Sequence, residues 1–183
     1  MFPPSIIETR RLRLREPSLD DAPTIFERYA ADPEVTRYML WRPHEDVTET
    51  EEFLSLMVTN WRLGEDHRPW VIERDGELLG MIGVTISGHA VEVGYVLARR
   101  HWGNGYAPEA LTAVCDAAFE DPRIHRVWAV CNVANARSAR VLEKAGMRFE
   151  GILRSYLISP NLRPEPGDCR LYARVRRDLG AIA

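Results

Sequence analysis

Residues 89–132 constrain the fold of this chain more than any other stretch. "HAVEVGYVL" (89–97) alternates apolar residues and reads as a strand. The loop "ARRHWGNG" (98–105) follows, and then a helix over 106–120. Ala107, Leu111, Val114 and Ala118 recur at helical spacing and form its buried stripe. "HRVWAVCN" (125–132) is again a strand. Strand, helix, strand in direct succession places two parallel strands in one sheet.

The remaining strands follow a different rule. "PWVIERDGELLGMIGVTIS" (69–87) is a hairpin with Asp75-Gly76 at its turn. "LRLRE" (12–16) is a short strand, and "RFEGILRSYLI" (148–158) and "DCRLYARV" (168–175) are two late strands around a proline-rich loop. The expected sheet is therefore mostly antiparallel with one parallel pair. Helices are expected over 18–32, with Ser18 as N-cap, and over about 48–63. Phe53, Met57 and Trp61 share one face of the latter. Residues 33–47 read as irregular. A further helix starts at the cap Asn135 and stops at Gly146. No repeat, linker or low-complexity segment divides the 183 residues, which read as one domain over 1–183.

The loop "ARRHWGNG" carries the chemistry. Gly103 and Gly105 have no side chains, so their amides can lie close to a ligand. The helix that follows begins with unpaired N–H groups and partial positive charge. Arg99 and Arg100 add full charge. Together these suit a phosphate or pyrophosphate; a tight strand-to-helix turn is the plain alternative. The P-loop pattern is absent. The dinucleotide pattern G-x-G-x-x-G fails at Pro108.

A net charge of -3 weighs against a nucleic-acid partner, which wants a strongly basic face. The three cysteines (115, 131 and 169) are unpaired in spacing, so neither a disulfide framework nor a metal site is expected. No leader pattern and no apolar run of membrane-spanning length occurs, so a cytoplasmic location and no membrane partner are expected. Monomer and homodimer both remain open.

"RHWGNGYAPEAL" resembles the acetyl-CoA signature of the GCN5-related N-acetyltransferase (GNAT) superfamily. The chain looks most like the branch that acetylates ribosomal-protein N-termini. "TRRLRLRE" (9–16), "DPEVTRYMLW" (32–41), "EVGYVL" (92–97), "NARSARVLEKAGM" (135–147) and "FEGILR" (149–154) match in order. The resemblance implies an α/β fold: a twisted, mostly antiparallel sheet of about six or seven strands, flanked by about four helices and splayed at a central parallel pair. It implies acetyl-CoA as co-substrate and no metal. The pantetheine arm would pair with backbone at Tyr95, Val96 and Leu97, and also meet Asn135. The pyrophosphate would rest on amides from Arg100 through Gly103, Asn104, Gly105 and Tyr106 to Ala107.

The resemblance assigns the acid that protonates the leaving thiolate to Ser138; packing, or a bond back to a helix carbonyl, is the plainer alternative. Leu142 stands where many relatives keep an acidic tyrosine. Glu92 is the candidate base, facing the splay with Gly94 and Val96, or else a solvated strand residue. Glu109 reads as structural, and Cys131 as no nucleophile. Trp41, with Arg42 and His44, would line the acceptor side, or Trp41 would join the core; Asp168 and Tyr172 would shape the same site. The acceptor implied is the N-terminal amine of a protein or peptide. A small amine such as an antibiotic or polyamine is the second reading, and a non-catalytic acyl-CoA sensor the third.

Overall fold

A computed structural model of the chain describes residues 2–177. The described residues form one sheet of eight strands in the order β1-β2-β3-β4-β5-β6-β8-β7. These are β1 (Ile6–Glu8), β2 (Arg13–Arg15), β3 (His67–Arg74), β4 (Glu77–Ser87), β5 (Ala90–Leu97), β6 (Arg126–Asn132), β7 (Arg148–Leu157) and β8 (Gly167–Val175). Only β5 and β6 pair in parallel; the other neighbours are antiparallel. The eighth strand beyond the expected count is β1, a three-residue edge made by Ile6–Glu8 against β2.

The β5–β6 ladder decides where a site can form. Among the described residues it has three rungs, Ala90↔Arg126, Val91↔Val127 and Glu92↔Trp128. Past Glu92, β5 continues along β4 to Leu97, while β6 turns to β8. The sheet therefore opens between its two parallel strands. Backbone groups of β5 that face away from β4 lose their ladder partners there.

Among the described residues five helices flank the sheet: α1 (Ala22–Ile25), α2 (Pro33–Thr36), α3 (Val47–Leu63), α4 (Tyr106–Glu120) and α5 (Ala136–Lys144). α4 buries Ala107, Ala110, Leu111, Val114, Cys115 and Ala118, the expected stripe with its i+3 neighbours. α5 starts where Asn135 Oδ1 accepts from the Ser138 amide at 3.1 Å. It ends at Gly146, whose φ of +78° closes a left-handed cap. Asp75 and Gly76 both take positive φ, as a tight hairpin turn of matching twist requires.

Three expectations need correction. The helix over 18–32 is broken. Ser18 does cap it, but a tight turn over 19–21 and the short α1 run into a widened turn over 26–30, closed by the Ala31 amide on the Phe26 carbonyl. The extra residue lets Tyr29 and Ala30 follow Ala22 and Ile25 into the core. Residues 33–36 are helical, with Asp32 capping the Glu34 amide at 2.8 Å. The inward face of α3 is rotated: Thr50, Leu54 and Met57 are buried, while Phe53 is exposed. Trp61 still packs on the core and donates to the Pro69 carbonyl at 2.6 Å.

The sheet is covered on both sides. Trp70, Ile72, Val91 and Val93 point into a cluster with Leu111 and Val114 of α4 and Leu142 of α5. Val71 and Met81 point the other way, to Ile25, Tyr29 and Leu54. Alternation along β3 and β5 thus sends successive side chains to different cores. No helix of the described residues is long and apolar enough to cross a membrane. No cluster of metal ligands occurs among them.

Candidate active site

A cleft of about 540 Å³ opens where β5 and β6 part, bounded by the starts of α4 and α5. Its floor is Tyr95, Val96 and Leu97 of β5. One wall is the 98–105 loop, where Trp102 Nε1 donates to the Leu97 carbonyl at 2.8 Å and folds the loop back on its strand. Gly103 and Gly105 take φ of +80° and +78°, a left-handed backbone that suits glycine. No side chain caps α4, and Pro108 brings no amide. The amides of Tyr106 and Ala107 at the cleft wall are therefore open to an incoming anion.

The N-terminal segment braces that wall. Glu109 accepts from Thr9 Oγ1 (2.7 Å), the Arg11 amide (3.0 Å) and Arg11 Nε (2.6 Å). Burial works against the Glu109 carboxylate, but these bonds outweigh it and hold its pKa below the ordinary value. Arg11 also reaches the Asn104 carbonyl at 3.1 Å and lies 4.8 Å over the Tyr106 ring. Glu109 thus ties the N-terminal segment to the first turn of α4.

The loop arginines do not line the cleft. Arg100 pairs with Glu77 at 2.6 Å, and Arg99 with Asp32 at 3.4 Å. Asn104 likewise turns its amide back to the His101 and Trp102 carbonyls. The positive charge at the cleft comes from Arg137, Arg140 and Lys144 of α5. Their spacing of three and four residues marks one helix face, a signal present in "NARSARVLEK". Arg137 is held in place over the Trp102 ring, 4.9 Å from its centroid.

Ser138 and Asn135 both line the cleft. Asn135 spends its carbonyl oxygen on the Ser138 amide, leaving its NH2 group for other partners. The Ser138 hydroxyl is 2.8 Å from the Tyr95 hydroxyl. It is also within hydrogen-bond reach of the Cys131 thiol, which burial pushes up to about 11. That protonated thiol is a poor nucleophile.

Glu92 stands on the last rung of the parallel ladder, opposite Thr85 on β4 and Trp128 on β6. Alternation puts it on the face away from Tyr95, with Gly94 and Val96. Burial raises its pKa, and the Tyr156 hydroxyl of β7 feels its charge. Trp41 lies beyond the cleft lining, half-buried against the second core, its ring 5.2 Å from that of His44. Asp168 is also outside the lining. Its carboxylate accepts from the Ser155 amide at 2.9 Å and pins an irregularity in β7. Tyr172 is buried and donates to Glu143 at 2.9 Å, tying β8 to α5. Sequence reasoning missed the Tyr95 hydroxyl and Asn161, whose NH2 group donates to the Thr36 (2.7 Å) and Trp41 (2.8 Å) carbonyls.

Known proteins agree with this architecture. The acetyltransferase (GNAT) domain family matches residues 11–148. The uncharacterized N-acetyltransferase YoaA of Bacillus subtilis (strain 168) is 35% identical over 183 residues, spanning 96% of this chain and 98% of that protein. The structure of Mycobacterium smegmatis RimJ in complex with CoA-disulfide superposes with a TM-score of 0.84 at 26% identity, covering 97% of this chain and 90% of that one. The microcin C7 self-immunity acetyltransferase MccE, solved with acetyl-CoA and AMP, shares the fold with a TM-score of 0.82 at 19% identity, over 91% and 93% of the two chains. With an uncapped helix beside a sheet parted at its parallel pair, and a family match over most of its length, the chain belongs to the GNAT acetyltransferase family and is an N-acetyltransferase.

Proposed function

We propose that the chain moves the acetyl group of acetyl-CoA directly to the N-terminal α-amine of a protein or peptide. The observation that carries this is the parted sheet, with Ser138 and the open α4 amides lining the cleft and Glu92, outside that lining, on the last parallel rung beside it. The residues present fit the cofactor. The Tyr106 and Ala107 amides suit a pyrophosphate, Arg137, Arg140 and Lys144 suit further phosphate charge, and the β5 edge at Tyr95–Leu97 suits an amide-bearing arm. Asn135 can cap its helix and meet the same arm through different atoms.

When bound, acetyl-CoA supplies the activated acyl group. An α-amine with a pKa near 8 is close to neutral already, so a modest base suffices. Glu92, raised by burial, is matched to that task. A freed β5 amide near Val96 is placed to stabilise the carbonyl oxygen as it gains charge. Ser138 is the acid for the thiolate.

Two observations favour a peptide acceptor. A ribosomal-protein-serine acetyltransferase of Escherichia coli is 28% identical over 109 residues. Leu40, Ile158 and Leu162 on loops and Tyr156 on β7 expose apolar surface, and Tyr156 lies in the field of Glu92. The small-amine reading draws on the fold shared with MccE.

The test follows thiol release with acetyl-CoA and a pool of amines: peptides with varied first residues, polyamines and aminoglycosides. Mass spectrometry identifies the product. An acetylated peptide N-terminus is expected; acetylation of small amines alone overturns the acceptor assignment, and binding without turnover favours the sensor. Ser138→Ala should lower kcat about 10–100-fold while leaving acetyl-CoA affinity within about twofold.

A further inference from the structure

We infer that Tyr95 is a positioning residue for acetyl transfer, holding and polarising Ser138 so that its proton points at the leaving sulfur. The inference rests on the assignment of Ser138 as the acid.

The geometry is specific. Tyr95 projects from β5 just past the last parallel rung, where the sheet has opened, and its half-buried ring packs against the core that α5 covers. Its hydroxyl has two acceptors in reach, both on Ser138: the side-chain oxygen at 2.8 Å and the carbonyl at 3.3 Å. The carbonyl is the longer contact and serves the helix ladder as well, so the tyrosine proton goes to Oγ. The Ser138 amide is already spent on Asn135. Oγ therefore accepts from Tyr95, and its own proton, for which the neighbouring Cys131 thiol is only a weak acceptor, is left to donate. Donation in a chain strengthens each member, making the serine a better donor.

In the transfer the amine nitrogen bonds to the acetyl carbon, the carbon–sulfur bond breaks, and the nitrogen gives up a proton. The sulfur leaves with the electron pair and takes the Ser138 proton, Glu92 takes the proton that the nitrogen gives up, and water carries a proton back to the serine. Tyr95 keeps its own proton throughout: burial raises its pKa, so it is a donor and not a source of charge. Its place in the mechanism is to set the direction and strength of the serine.

The experiment uses Tyr95→Phe, which keeps the ring and removes only the hydroxyl. With the preferred acceptor, kcat should fall roughly 5–30-fold while KM for acetyl-CoA stays within about twofold. Tyr95→Phe added to Ser138→Ala should cost almost nothing further, because the two act as one unit. A second readout needs no turnover. In the binary complex with free coenzyme A, thiolate absorbance against pH should titrate higher in Tyr95→Phe than in the unaltered protein, since a donor to the sulfur is weakened. An unchanged titration, or losses that multiply in the double variant, overturns the inference. If Ser138→Ala alone is silent, the acid assignment falls. If Ser138→Ala is impaired and Tyr95→Phe is silent, only the role of Tyr95 falls.

Discussion

Glu92 is a carboxylate that the fold makes costly to ionise. Burial raises its pKa with no basic partner to oppose the shift, while the neighbouring Tyr156 hydroxyl sits in its field. The sign of the linkage follows. Between the unfolded and the folded pKa the folded state binds more protons, so this group lowers stability as pH rises through that interval. Glu92→Gln should remove the penalty. Its thermal midpoint, relative to the unaltered protein, should be higher at about pH 8 than at about pH 4. Activity should move the other way. A base acts only when ionised, so kcat/KM of the unaltered protein should rise through the raised pKa, and the variant should lose about 100-fold together with that acidic limb. A variant of full activity would identify Glu92 as a plain strand residue. Gain of stability with loss of turnover is the pattern expected where a site stores strain for function.

At the scale of elements, the register of β4 against β5 depends on one glycine. A Cβ on Gly80 would lie 2.1 Å from the Val96 carbonyl oxygen and 2.8 Å from the Leu97 Cα. Backbone atoms cannot give way as a flexible side chain can, so Gly80→Ala must push β5 outward at its parted end. Such overpacking costs about 1–3 kcal/mol, or about 2–12 °C of thermal midpoint in a chain of this size. Acetyl-CoA affinity should fall with it, because the displaced segment is the cleft floor; a midpoint shift with unchanged affinity would show β5 to be rigidly held elsewhere. The contrast with α5 shows what a sequence reveals. Asn135 and Gly146 mark that helix because caps are local chemistry, and Arg137, Arg140 and Lys144 mark its face because helical spacing is local geometry. The strand–helix–strand unit announces the parallel pair in the same way. The bond from Tyr95 to Ser138 spans 43 residues and exists only because α5 packs beside the opening of the sheet. Arg99 and Arg100 read as phosphate ligands beside Gly103, yet tertiary neighbours Asp32 and Glu77 claim them. The widened turn after α1 is likewise set by which residues the core admits, and periodicity alone does not encode it.

Over the whole molecule, a segment that lines the cleft is tied by one side chain to a loop from a distant part of the chain. Tyr38 and Met39 line the cleft after α2, and the loop between β7 and β8 carries Asn161. The Asn161 NH2 group spans the gap with bonds of 2.7 Å to the Thr36 carbonyl and 2.8 Å to the Trp41 carbonyl. Both protons of one amide nitrogen are used, so the two ends of the 36–41 turn are held by a single residue. Each such bond contributes about 1 kcal/mol net, little for folding but enough to fix a loop whose Tyr38 and Met39 line the cleft. Asn161→Ala should therefore shift the thermal midpoint by only a few degrees, about 2–8 °C, while raising KM for the amine acceptor about 3–10-fold. The dissociation constant of acetyl-CoA should stay within about twofold, because the α4 amides and the α5 cations stand on other elements. Asn161→Asp keeps the shape but turns both donors into acceptors facing carbonyls, so it should be worse than alanine. Equal loss of acceptor and acetyl-CoA affinity in Asn161→Ala would mean that the clamp supports the whole cleft and does not select for the acceptor.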